Sequence, residues 1–128
     1  MKHKAIQEWI AKAEEDYLTL EIPARQRKKR VHDSVCFHAQ QCAEKYLKAL
    51  LVLHRISTPK IHDLGQLADL LNPREPAIAL MTDLCDQLTR YGIEFRYPGE
   101  DATSDRAKTA CSAAKEIRHF VRARLNLR

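Results

Sequence analysis

Apolar positions recur at helical spacing along almost the whole chain. Ile6, Trp9, Ile10, Ala13, Tyr17 and Leu20 form one stripe and predict a helix over about residues 3–21, with Pro23 ending or kinking it. Val35, Ala39, Cys42, Ala43, Tyr46, Leu50 and Leu53 predict a second helix over about 31–54. Leu51 and Val52 extend its apolar surface all round, so this helix is expected at the centre, with Leu50 in the core. Residues 55–61, with Pro59, read as a loop. Leu64, Leu67, Ala68 and Leu71 mark a short helix over about 63–71, and Asn72-Pro73 end it. Pro76 suits the first turn of a fourth helix over about 75–91, striped by Ile78, Met81, Leu84, Cys85 and Leu88, with Gly92 as its stop. A loop over 92–102 follows, and Ser104 is the expected cap of a last helix reaching about residue 126. No stretch alternates with period two for long enough to make a strand. The expected fold is all-α: an up-and-down bundle of four to five helices with a short crossover helix, in a single domain over 1–128.

Composition narrows the class. A chain of 128 residues with 45% hydrophobic and 30% charged residues can bury a core without disulfides or metal, so no metal or cofactor is called for. The longest apolar run, Ala49 to Leu53, is far too short to span a membrane, and the charged start leads into no apolar signal region. A cytoplasmic protein with no membrane association is expected. Cys36, Cys42, Cys85 and Cys111 lack zinc-knuckle spacing and read as reduced thiols buried on helices. The formal charge of +5 favours an anionic partner without naming it.

Two surfaces stand out. On the second helix Gln41, Glu44, Lys45 and Lys48 fall opposite the Cys42/Ala43/Tyr46 stripe, and Phe37 joins them. This is either a solvated face with a Glu44–Lys48 ion pair or a surface facing another subunit or a ligand. Phe37, Gln41, Lys45 and Lys48 are the interface candidates, and a twofold contact would bury one exposed aromatic in both copies. The run Arg25, Gln26, Arg27, Lys28, Lys29, Arg30 is either a solvated turn or a nonspecific phosphate patch, since no aromatic interrupts it for base stacking.

Three segments together resemble the signatures of the HEPN domain family, named for nucleotide binding in higher eukaryotes and prokaryotes. They are Phe37-His38-Ala39-Gln40-Gln41-Cys42-Ala43-Glu44-Lys45-Tyr46-Leu47-Lys48-Ala49-Leu50-Leu51, then His62-Asp63-Leu64, then Arg96-Tyr97-Pro98. Their order and spacing match from a Trp-bearing first helix to the last helix. The resemblance implies a helical bundle, commonly a homodimer, often encoded beside a small nucleotidyltransferase in prokaryotic toxin-antitoxin pairs. Many such relatives are metal-independent ribonucleases that use an Arg, a polar residue and then, a few positions on, a His, near the start of the last long helix. Here the chain departs from the pattern, because no histidine follows Arg96 until His119. The spacing does occur from Arg25 and Arg27 to His32 and from Arg55 to His62, but chance alone supplies roughly two such matches. His62 also falls in a signature, although the preferred reading of the residues themselves is structural, with His62 or Asp63 capping the third helix.

The nucleotide- or RNA-binding candidates are therefore His62, Asp63, Arg96 and Tyr97, and Arg25, Arg27, Lys28, Lys29 and Arg30 form a secondary basic patch. Arg96 can grip phosphate, Tyr97 can stack on a base, and His62 has the chemistry of a base for a ribose 2′-hydroxyl. The expected site lies between the loops after helices two and four, on the argument that both leave even-numbered helices at the same end of a bundle. The preferred reading is a noncatalytic binding module; the alternative is a ribonuclease toxin using His62 or an unrecognised base. The structural alternative is that Arg96 merely fastens the loops by pairing with a carboxylate such as Asp63 or Glu94.

Overall fold

The computed structural model describes residues 2–26, 31–95 and 98–127. All of the regular structure among them is helical: α1 (Lys2–Gln26), α2 (Val31–Leu53), α3 (Leu64–Leu71), a 3-10 helix (Pro76–Met81), α4 (Thr82–Glu94) and α5 (Ser104–Arg124). The all-α expectation holds, with α2 central and Leu50 fully buried.

Each helix buries the face that its sequence marks. Ile6, Ala13 and Leu20 of α1, ten apolar residues of α2 from Val35 to Leu51, and Leu64, Leu67 and Leu71 of α3 enter one core. Cys85 and Leu88 of α4 and an alanine-rich face of α5, with Ile117 and Val121, complete it. Polar side chains fix the directions. Glu14 Oε2 accepts from the Tyr46 hydroxyl at 2.7 Å and Asp16 Oδ2 from Lys45 Nζ at 2.6 Å, which sets α1 antiparallel to α2. At the start of α5 the Ala102 N–H donates to Asp33 Oδ1 at 2.6 Å. At its end Arg124 Nε lies 2.7 Å from Glu75, which also meets His54 Nε2 at 2.7 Å, so α5 runs parallel to α2.

Four sequence expectations need correction. α1 continues past Pro23 to Gln26. The fourth helix begins as a 3-10 segment, because Pro76 opens it and α-helical bonding starts only at Thr82. Gly92 does not stop α4, which runs to Glu94; its role is packing, since a Cβ there would lie 2.8 Å from Gln40 Cγ. The cap of α5 is Thr103, not Ser104, with the Thr103 hydroxyl accepting from the Arg106 N–H at 3.1 Å.

The end of α2 shapes the site. Arg55 takes a left-handed conformation with φ 59°, the Arg55 N–H donates to the Val52 carbonyl at 3.0 Å, and the Ile56 N–H donates to the Leu51 carbonyl at 2.9 Å. This is a Schellman turn, and it reverses the chain. The segment over 56–63 then runs back along α2 before α3 begins.

Candidate functional site

The returning segment ends against the middle of α2. There the Gln40 Nε2 donates to the His62 carbonyl at 2.9 Å, and the next residue, Asp63, caps α3 by accepting from the Gln66 N–H at 3.1 Å. The Leu64 N–H donates to the Thr89 hydroxyl of α4 at 2.9 Å. These bonds and the cap fix the chain at His62 and directly after it.

Behind that ring lies a buried carboxylate. Glu44 Oε1 sits 2.8 Å from His62 Nδ1 and accepts from Gln40 Nε2 at 3.1 Å, while Oε2 accepts from Lys48 Nζ at 3.0 Å. The Glu44 and Lys48 side chains are 5% and 6% exposed, whereas that of His62 is 72% exposed. A carboxylate only accepts, so the hydrogen between Glu44 and His62 belongs to Nδ1. In the neutral ring this leaves Nε2 with its lone pair on an exposed imidazole, able to take a proton, and the protonated ring donates there instead. Gln41 donates to Gln40 Oε1 at 2.7 Å, and the Lys48 ammonium lies 5.5 Å from the centre of the Trp9 ring.

The face of α2 expected to be solvated is thus partly interior. Glu44 and Lys48 form the foreseen ion pair, but they are buried because the 56–63 segment covers one side and Trp9 lies over the other. Lys48 is accordingly not an exposed interface residue. Lys45 is half-buried and bound to Asp16, which also meets His38 Nδ1 at 2.8 Å. Phe37 is 37% exposed and stands edge-on to the His38 ring, with centroids 5.2 Å apart.

The same-end argument for the two loops also fails. The loop after α4 meets the start of α2, as the Ala102–Asp33 bond shows, while the loop after α2 begins at the opposite end. The returning segment nevertheless reaches α4, because the Schellman turn carries the chain back and the Leu64 N–H meets Thr89. Gln40, which holds the His62 carbonyl, is the same residue that packs on Gly92. Arg96 and Tyr97 lie outside the described residues, as do Arg27, Lys28, Lys29 and Arg30; Arg25 falls in the last turn of α1. Glu94 lies 4.0 Å from Arg106.

Gln40, Trp9 and the orienting role of Glu44 went unrecognised in the sequence. Their signal is a polar repeat, Gln40, Glu44 and Lys48 at every fourth position of a helix otherwise rich in apolar residues, and such groups must satisfy one another once buried. The thiols offer no competing chemistry at this site. All four cysteines are free, and burial pushes Cys36, Cys42 and Cys85 up to about 12, away from the reactive thiolate.

Comparison with known proteins agrees with this architecture. The family model of the HEPN domain matches residues 6–124. The chain belongs to that family. No curated protein and no solved structure matches it. Among the described residues no helix is long and apolar enough to cross a membrane.

Proposed function

We propose that the protein is a nucleotide- or RNA-binding module whose ligand-facing group is His62. The carrying observation is an exposed imidazole whose Nδ1 is held by a buried carboxylate, so that Nε2 is presented in one fixed direction. Such a group binds a phosphate oxygen when protonated and a ribose hydroxyl when neutral. Membership in the HEPN family and the charge of +5 support a nucleotide- or RNA-related role in general terms. Arg96, four residues beyond the glycine that packs on Gln40, is the proposed phosphate-gripping cation, and Tyr97 its stacking neighbour. Through Phe37, Gln41 and Lys45 the module forms a homodimer, and its protein partner is a small nucleotidyltransferase in a toxin-antitoxin pair.

The dyad also favours a second reading, metal-independent RNA cleavage. His62 Nε2 would take the proton of a 2′-hydroxyl, the freed oxygen would attack the adjacent phosphorus, and the bond to the 5′-oxygen would break as that oxygen gains a proton from water. The chain lacks the family's usual Arg-to-His spacing after Arg96, which is why binding without catalysis is preferred.

Binding and cleavage of a short RNA, measured in the presence of a chelator, test both readings. His62→Ala and Arg96→Ala should each weaken binding by about ten-fold or more while the fold persists. Cleavage that disappears with His62→Ala would establish the second reading, and unchanged binding in both variants would overturn the site.

A further inference from the structure

We propose that Lys48 is a positioning residue that fixes the tautomer of His62 from inside the bundle. The inference rests on the reading of His62 as the ligand-facing group and adds to it how that group is kept ready. Lys48 never reaches the surface: its side chain is 6% exposed, its ammonium bonds Glu44 Oε2 at 3.0 Å, and the Trp9 ring lies 5.5 Å away. A buried ion pair is seldom worth more to a fold than two well-packed apolar side chains, and apart from Gln40 the other buried residues of α2 are apolar. The pair has a consequence that an apolar pair would lack. Oε2 is committed to Lys48, so Oε1 is the oxygen left to face the imidazole. A carboxylate at 2.8 Å from Nδ1 accepts a hydrogen there and leaves the lone pair on the solvent-facing Nε2.

The contacts run outward from the interior: Trp9 lies beside the ammonium, the ammonium holds Glu44, and Glu44 with Gln40 locates His62. Remove the cation, and Oε2 loses the partner that pins it inside the bundle, leaving Glu44 held only through Oε1 and able to turn toward water. Nδ1 then loses its fixed acceptor, and the imidazole relaxes to the mixed tautomers of a free ring.

The test is the nitrogen-15 side-chain spectrum of the histidines in the ligand-free, full-length protein above the titration of the ring. The wild type should show His62 in the Nδ1–H form alone. Lys48→Met should lose that preference, and Lys48→Arg should restore it. If Lys48→Met does not fold, Lys48→Gln, which keeps a donor but no charge, carries the same expectation. A single, unchanged Nδ1–H tautomer in the uncharged variant would overturn the proposal, as would a wild-type ring that is not in that form. Because no ligand is present, this outcome is separate from whether His62 binds nucleotide: a failed binding experiment with a Lys48-dependent tautomer would sink only the functional reading.

Discussion

Gln40 is the residue on which the site and the bundle meet. Its side chain donates to Glu44 and to the His62 carbonyl, accepts from Gln41, and fills the space that Gly92 leaves open. The contact at Gly92 involves the middle of the Gln40 side chain, so a methyl group there cannot be accommodated by swinging a free end aside. Gly92→Ala would gain about 0.5–1 kcal/mol in helix propensity, but it overpacks the contact at a cost of about 1–3 kcal/mol. The expected result is a net loss of stability in denaturant titration, accompanied by weaker nucleotide binding because Gln40 can no longer hold the His62 carbonyl. Gly92 was legible in the sequence as a special position but was assigned the wrong task. A glycine near the end of a helical pattern looks the same whether it ends the helix or admits a neighbour, and only the partner helix distinguishes the two.

At the scale of elements, the returning segment makes the site, and its two ends invite separate tests. Asp63 was a ligand candidate, and the structure gives it a cap to hold. Asp63→Ala should cost about 1 kcal/mol, the usual value of a lost N-cap, and thermal melting should register it with no binding defect beyond that loss. A binding defect in a fully folded variant would return Asp63 to the ligand site. At the other end Arg55 occupies a left-handed position, with φ 59°, that glycine adopts without strain. Arg55→Gly should raise stability by about 0.5–1 kcal/mol, since the position is one of the few where glycine's freedom matches the native backbone. Equal or lower stability would mean that the Arg55 side chain contributes more than its backbone costs. Helix phases were readable in advance because each stripe faces one core. The path of the 56–63 segment was not, since helix parity alone says nothing about a loop that doubles back.

For the whole molecule, polar ties between distant helices accompany the apolar core. Arg118 of α5 grips Glu14 of α1 through two bonds of 2.8 Å, and the Tyr46 hydroxyl of α2 donates to the same carboxylate. The Arg118 bond, against the opposing effect of burial, holds the Glu14 carboxyl below its ordinary 4.5. A carboxylate depressed in the folded state adds stability above its unfolded value and loses that contribution as pH falls through the folded value. Wild-type stability should therefore drop below about pH 4.5, and Glu14→Gln, less stable at neutral pH, should show a shallower acid limb in chemical denaturation. Parallel acid limbs would mean that this tie contributes nothing to the pH dependence. The dimer proposed on the Phe37 face belongs to this scale as well, and sedimentation at micromolar concentration measures it: a strict monomer would remove Phe37 from any interface.

The account's central claim is that His62, backed by Glu44, is where the ligand is met. Its most direct test follows the histidine side-chain nitrogens of the intact protein while a mononucleotide or a short RNA is added. The account predicts that the Nε2 resonance of His62 moves with ligand concentration and saturates, while Nδ1 keeps its hydrogen bond to Glu44 and the other five histidines stay in place. Saturable binding that leaves the His62 ring unmoved and shifts a different region of the bundle would contradict it.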